Sequence, residues 1–364
     1  MLLADQGADV VKVERPAGDA MRSWPPMSDG FSENFASINR NKRSICLDLK
    51  DRADVDHAKQ LITTADVVIE NFRPGVMDRL GLGYDDMATV NPALIFCSIS
   101  AFGQSGPRST EGGFDLTMQA MAGVMSVTGE PGGNPVKCGV PVCDFVSGLY
   151  GAFGITSALQ SRSVTGLGQH IDVAMLGATL AIGALQTSQF FGTGVDPEKL
   201  GSAHPRNAPY QAFQAADGYF GMAAGNNNLW ELVCDVVNRP ELCEQERFSN
   251  PTNRAANQVE LRDLLEDIFR TASVGHWLTA FAAAGVPASP INTYSEALKD
   301  PQVDHMGWVQ PLTLPNGVET TTFGPALRIN RQTLKVQSPP PGLGDHTVEI
   351  LAELAAEREA GHQR

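Results

Sequence analysis

The 364-residue sequence lacks a long apolar run: its longest, 175–185, has 11 residues and contains Gly177, Thr179 and Gly183, against the roughly 20 that a spanning helix needs. No contact with a membrane is expected from it. Basic residues are also scarce. Lys and Arg number 27 against 41 Asp and Glu, a formal charge of −14, so the basic footprint of a nucleic-acid-binding protein is missing. An anionic ligand needs a local cationic site. The six cysteines, Cys46, Cys97, Cys138, Cys143, Cys234 and Cys243, form no Cys-x-x-Cys pair. Most stand in apolar runs, which predicts buried free thiols in place of disulfides or zinc ligands. The seven histidines are scattered, and there is no Gly-x-x-x-x-Gly-Lys-Ser/Thr, no Gly-x-Gly-x-x-Gly after a strand and no His-Glu-x-x-His. The usual kinase, dehydrogenase and zinc-hydrolase readings lose their support, and no metal site is expected. The N-terminus carries Asp5 and Asp9 ahead of its first basic residue, Lys12. That is neither a secretory signal nor an Arg-rich transit peptide, so a cytoplasmic chain is expected.

What the sequence does have is enough apolar material for a sizeable core, with 42% hydrophobic residues and 36 glycines. At about 150 residues per domain, the length suggests two domains. The first half alternates short β-rich runs at 8–13, 44–49, 66–69 and 94–99 with a helical pattern at 51–64, where Val55, Ala58, Leu61 and Ile62 share a face. Such alternation predicts an α/β fold around a mainly parallel sheet. Residues 1–6 read as the last turn of a helix stopped by Gly7, so the chain opens as though a first strand preceded it. Two long helical patterns, 144–162 and 175–190, flank Thr165-Gly166-Leu167-Gly168 and a short strand at 170–173. The first of them is rich in small residues (Gly148, Gly151, Ala152, Gly154), which permits close packing. A hairpin at 210–223 opens a second domain, with helices expected at 229–237, 258–271 and 276–283. Pro315-Asn316-Gly317 marks a further hairpin. Pro339-Pro340-Pro341 leads as a stiff linker into a docking helix at 347–356.

Two carboxylates stand out. Asp144 follows Gly139-Val140-Pro141-Val142-Cys143 and is placed by the pattern at the N-cap of a helix, where free N–H groups and the helix dipole favour an ionised carboxylate. Asp115 ends Gly112-Gly113-Phe114-Asp115 before another helical pattern, close enough in role to hydrogen-bond or tune Asp144. Each has also the look of a plain capping residue. Basic side chains gather in loops after strands: Arg15, the Asn41-Lys42-Arg43 stretch, Lys50, Arg73 and Arg79. Loops at strand C-termini are where open α/β sheets bind ligands, and phosphates are held by such charges. Solvated surface charge is the plainer account of any one of them.

With these residues the chain resembles the family III CoA-transferases, the group of formyl-CoA and carnitine CoA-transferases that also includes α-methylacyl-CoA racemase. The likeness runs over nearly the whole length. Its most specific pieces are 4–16 (Ala4-Asp5-Gln6-Gly7-Ala8-Asp9 onward), Asn41-Lys42-Arg43-Ser44-Ile45, Glu70-Asn71-Phe72-Arg73-Pro74-Gly75, and Asp144 with Thr165-Gly166-Leu167-Gly168-Gln169. The resemblance implies that Asp144 is the nucleophile, passing through a mixed anhydride to an aspartyl-CoA thioester from which an acceptor acid takes the CoA. It implies CoA contacts at Arg15, Leu47, Lys50, Asn71, Phe72, Val76 and Arg79, with no permanently bound cofactor and coenzyme A or acyl-CoA as substrate. Racemases of the family carry Gly-His-Asp where this chain has Gly113-Phe114-Asp115. Phenylalanine moves no proton, which disfavours racemisation and leaves Asp115 a candidate helper carboxylate.

Gly201-Ser202-Ala203-His204, Pro209-Tyr210-Gln211-Ala212-Phe213 and Ala224-Gly225-Asn226-Asn227 look most like the succinyl-CoA:dicarboxylate group, with Arg206 the candidate cation for a distal carboxylate. The family plan is an open Rossmann-like, parallel-sheet large domain made from both chain ends plus a smaller α/β domain. It implies a large domain over 1–175, a linker helix at 176–194, a small domain at 195–292, a return linker at 293–317, and the rest of the large domain at 318–364. It also implies a homodimer of interlocked rings. Family members carry a further N-terminal strand and loop, so a non-catalytic acyl-CoA-binding remnant stands beside the racemase as an alternative to a working transferase.

Overall fold

A computed structural model describes residues 1–361. The chain divides into two compact units. One comprises Met1–Ala122, Gly139–Ala184 and Leu298–Arg364, the other Gly123–Cys138 and Leu185–Ala297.

In the first unit the chain runs β1 (Val10–Glu14), β2 (Lys42–Cys46), α1 (Arg52–Thr64), β3 (Val67–Glu70), β4 (Ile95–Ser100), α2 (Asp115–Met121), α3 (Val142–Thr165), β5 (His170–Ala174) and α4 (Met175–Ile182). The second unit contributes β6 (Tyr210–Gln214), β7 (Tyr219–Ala223), α5 (Asn227–Val236), α6 (Gln258–Phe269), α7 (Val274–Ala284) and β8 (Ala288–Pro290). The chain then returns to the first unit through β9 (Val309–Thr313), β10 (Glu319–Phe323) and α8 (Thr347–Gly361).

The parallel strands expected from the alternating pattern form. They make a two-stranded pair, β1 with β2, and a three-stranded sheet in the order β3-β4-β5. No ladder joins the two among the described residues, but one apolar core serves both: Ile45 within β2 and Leu47 just after it pack with Leu94 and Phe96 of the β4 region and with Ile350 of α8. Ile95, Phe96 and Cys97 are buried, as befits a central parallel strand covered on both faces. Asp51 starts α1 by accepting the Ala53 N–H at 2.8 Å, and Ala58 and Ile62 turn its apolar face inward. The expected opening turn is a short 3-10 helix, Ala4–Gln6, that closes on Gly7. Asp5 of that turn is buried and grips buried Arg40, with Oδ2 2.7 Å from Nη2 and Oδ1 3.1 Å from Nε.

Helix α3 is 24 residues long and, by length and composition, apolar enough to cross a bilayer, which the 11-residue run in the sequence did not suggest. Its inner face is a core face. A Cβ on Gly151 would stand 3.3 Å from Ile99 Cδ1, and one on Gly154 3.1 Å from Ile171 Cγ2. These two small residues let the helix backbone settle directly on β4 and β5. The outer face keeps Phe145, Leu149 and Phe153 exposed. The helix expected over 175–190 is interrupted: α4 stops at Ile182, Gly183 bonds back to Leu180, and a separate helix covers Ala184–Thr193.

The C-terminal helix docks as its linker suggested. Thr347 Oγ1 accepts the Cys46 N–H at 3.1 Å, the His346 N–H donates to Ser44 O at 3.0 Å, and Ile350 is 1% exposed. The hairpin at Pro315-Asn316-Gly317 is present, joining β9 and β10 antiparallel.

The second unit packs α5, α6 and α7 on the antiparallel sheet β8-β7-β6. Its core is aromatic: Phe269 meets Phe220 and Trp277 edge-on, each at 5.1 Å between centroids. Residues 123–138, which the sequence reading kept in the first domain, lie in this unit. The Gly201 N–H donates to Gly129 O, and Lys199 Nζ donates to the carbonyls of Gly133 and Asn134. The cysteines form no disulfide among the described residues. Cys97, Cys143 and Cys234 are buried as expected, while Cys46, Cys138 and Cys243 are only half-buried.

Candidate functional site

Asp144 is not the N-cap of α3. The helix begins two residues earlier at Val142, with Pro141 at the cap and no side-chain cap bond of its own, so Asp144 stands in the first turn. The sequence missed this because the cap comes from another helix. Asp115, the first residue of α2, places Oδ1 2.9 Å from the Cys143 N–H and so satisfies one of the donors that a helix start leaves open. Its other oxygen accepts from Gln119 Nε2 at 2.7 Å, one turn along α2. Gln119 is fully buried, so Asp115 is held from both ends.

The same first turn is tied down from below. Ser147 Oγ donates to Cys143 O at 2.6 Å, and Thr179 Oγ1 of α4 donates to Met175 O at 2.7 Å beside the Cys143 thiol. Burial pushes that thiol above its ordinary range, which keeps it protonated and unreactive at neutral pH. Asp144 is exposed. Its pKa is nonetheless raised, first by partial desolvation and then by the Asp115 charge. Partial burial first, and then the Asp115 charge, thus work against the helix start, which favours the ionised form. The result is an accessible carboxylate with a pKa above that of an ordinary aspartate.

The cations sort by what already holds them. Lys42 donates to Asn39 Oδ1 at 2.8 Å, and burial, with Lys12 as a secondary cause, pushes its amine down to about 8. Arg43 is spent on Asp9, Glu349 and Glu353. Both serve the fold. Arg15 and Leu47 lie side by side just beyond the parallel ends of β1 and β2, where the Leu47 N–H donates to Glu14 O at 2.8 Å. The Leu47 side chain is 2% exposed, so only its backbone can reach a ligand. Lys50 is exposed just after them, and Asn71, Phe72 and Arg79 are exposed, with Val76 half-buried, after β3. All seven expected CoA-contact positions thus follow the C-terminal ends of parallel strands, where ligands of α/β sheets bind. Arg206 lies in the second unit, exposed, on a loop turned by its own N–H donating to His204 Nδ1 at 3.1 Å. Phe114 is 81% exposed and offers no ionisable atom. Among the described residues no cluster of three His, Cys, Asp or Glu side chains is placed to hold a metal.

Sequence reasoning missed Gln119, Cys143 and Thr179. The four-residue spacing of Asp115 and Gln119 on one helix face was the available signal for the first.

The sequence model of CoA-transferase family III matches residues 1–347. The succinyl-CoA:glutarate CoA-transferase of Mus musculus is 38% identical over 97% of this chain and 82% of its own length. The succinate–glutarate CoA-transferase of Agrobacterium fabrum is also 38% identical, over 97% of this chain and 90% of its own. Among solved structures, a CAIB/BAIF family protein from Brucella suis superposes with a TM-score of 0.84 at 39% identity, covering 97% of this chain and 93% of that one.

Proposed function

The chain belongs to CoA-transferase family III, and from that premise we propose that it moves CoA from succinyl-CoA to a small dicarboxylic acid with Asp144 as the nucleophile. The observation that carries this reading is the exposed Asp144 carboxylate in a first turn pinned by Asp115. The names of its relatives support the choice of donor and of acceptor class.

In this mechanism an Asp144 oxygen attacks the thioester carbonyl. The C–S bond breaks, CoA leaves as a thiolate, and a mixed anhydride joins Asp144 to the succinyl group. The thiolate then attacks the aspartyl carbonyl, releasing succinate and leaving an aspartyl-CoA thioester. The acceptor carboxylate repeats these two steps in reverse order, taking the CoA and restoring Asp144. Each step passes through an oxyanion at the start of α3, where the helix dipole favours negative charge. The reading gives Asp115 the part of a helper that holds the turn and raises the basicity of Asp144. Arg15, Lys50 and Arg79 would pair with CoA phosphates, and Phe72 would lie against the adenine.

The reading includes a homodimer, interlocked as in the family plan. Its support is the exposed face of α3, where Phe145, Leu149 and Phe153 are 51%, 54% and 71% exposed, one turn apart, an apolar stripe of the kind that marks an interface.

The test is turnover of succinyl-CoA with glutarate and with other C4–C6 diacids, followed by chromatography of the CoA esters. The expected result is one acceptor-CoA formed per succinate released. Hydrolysis to free CoA, or α-proton exchange without transfer, contradicts it.

A further inference from the structure

We propose that Arg73 is the cation that receives the free carboxylate of a dicarboxylic acyl group at the Asp144 site, and so selects diacids over neutral acids. The inference rests on the CoA-transferase reading above. A diacid bound to CoA through one end keeps one anionic end, and a fixed guanidinium is the group best shaped to take it, with two parallel N–H donors.

Several cations of the first unit are already engaged. Arg22 is taken by Glu14, Arg43 by Asp9 and two glutamates, and Arg108 by Glu111. Arg73 has only a backbone bond, from the Val76 N–H to its carbonyl; among the described residues its guanidinium has no hydrogen bond or ion pair. It is exposed, yet its guanidinium lies beside Gly112. A Cβ on Gly112 would stand 3.2 Å from Nη2, 3.6 Å from Cζ and 3.6 Å from Nε. With Nη2 nearest and Cζ and Nε equally far, the Gly112 position lies obliquely over the Nε–Nη2 side of the guanidinium. Glycine at 112 leaves room for that contact, and the Nη1 end, farther from Gly112 than these three atoms, is left for a ligand.

Gly112 is three residues before Asp115, at most about 11 Å along the chain, and Asp115 bonds the turn that carries Asp144. The guanidinium therefore rests on the segment that builds the nucleophile's support. Of the other cations proposed for CoA, Arg15 and Lys50 follow β1 and β2, and Arg79 ends the helix Val76–Arg79.

The test compares dissociation constants of succinyl-CoA, butyryl-CoA and CoA, measured by calorimetry on full chains carrying Asp144→Ala so that nothing turns over. Butyryl-CoA has the succinyl chain length without the distal charge. Adding Arg73→Met is expected to weaken succinyl-CoA about 10- to 100-fold, the range for a lost charge-assisted contact, and to leave butyryl-CoA and CoA within about threefold. Arg73→Lys recovers part of the loss. Gly112→Ala, which pushes the guanidinium off its seat without removing it, gives a smaller loss of the same selectivity. Unchanged CoA binding shows that the variants are folded. Equal weakening of all three ligands overturns the proposal, since Arg73 then serves a phosphate or the loop. So does no change, or the selectivity loss appearing in Arg206→Met instead. Turnover by the unmutated chain is read separately: if it transfers no CoA, the reading of function fails, whereas active enzyme with any of the overturning results fails Arg73 alone.

Discussion

Asp115 caps in trans the helix on which Asp144 stands: Asp115 Oδ1 accepts the Cys143 N–H at 2.9 Å, one residue before Asp144. The same carboxylate that fixes the turn also raises the pKa of its neighbour, after the contribution of partial burial. Positioning and tuning are thus two effects of one residue, and substitution separates them.

Transfer needs Asp144 ionised, so kcat/KM rises with pH through its pKa. Because that pKa is raised, the acid limb lies above the range of an ordinary carboxylate. Asp115→Asn keeps an oxygen for the Cys143 N–H and removes the charge, which moves the limb toward lower pH. Asp115→Ala removes the cap as well, adds a stability loss of about 1 kcal/mol, and lowers kcat at every pH. The pH profiles of the two variants check this; an acid limb that stays in place in Asp115→Asn contradicts the tuning role.

Asp5→Ala leaves Arg40 buried without its counter-ion. The pair is 7% and 2% exposed, and breaking such a pair from one side costs about 3–5 kcal/mol. Urea unfolding is expected to show a midpoint lowered accordingly with an unchanged slope. A loss under 1 kcal/mol would mean that water replaces the carboxylate.

How much of this was legible beforehand depended on where the information lay. The parallel strands, the hairpin at Asn316-Gly317 and the docking of α8 came from local patterns and turn chemistry, and they stand in the structure. The start of α3 was misplaced by two residues because a proline cap gives no side-chain signal and the real acceptor is 28 positions upstream. Asp115 was legible as a residue that could tune Asp144, whereas the partial burial that contributes most to the raised pKa comes from tertiary packing and leaves no trace in spacing. Of the strand-end cations, Lys42 and Arg43 looked like ligand residues, but distant partners such as Glu349 and Glu353 engage Arg43 for folding. The resemblance implied a reacting role for Asp144; what holds that residue in place became legible only in the fold.

Helix α3 lies on β4 and β5 through Gly151 and Gly154. Gly154→Leu drives a side chain into Ile171, already 3.1 Å from where a Cβ would stand, at a cost of about 1–3 kcal/mol. Since the same helix carries Asp144, kcat falls together with the melting temperature. Thermal unfolding alongside steady-state kinetics tests the link; a stable variant with full kcat contradicts it.

The apolar stripe of α3 makes a statement about assembly. Light scattering after size-exclusion chromatography is expected to give twice the 38.9 kDa chain mass, and Leu149→Glu with Phe153→Glu to abolish that species. A monomer that is active at all concentrations contradicts the dimer.

The central claim, a covalent aspartyl intermediate, is tested most directly by peptide mass spectrometry after brief incubation with succinyl-CoA and trapping with hydroxylamine or borohydride. The account predicts an adduct on the peptide containing Asp144, absent from Asp144→Ala and discharged by an acceptor diacid. Transfer of CoA at an undiminished rate by Asp144→Ala, or an adduct mapped to another residue, would contradict it.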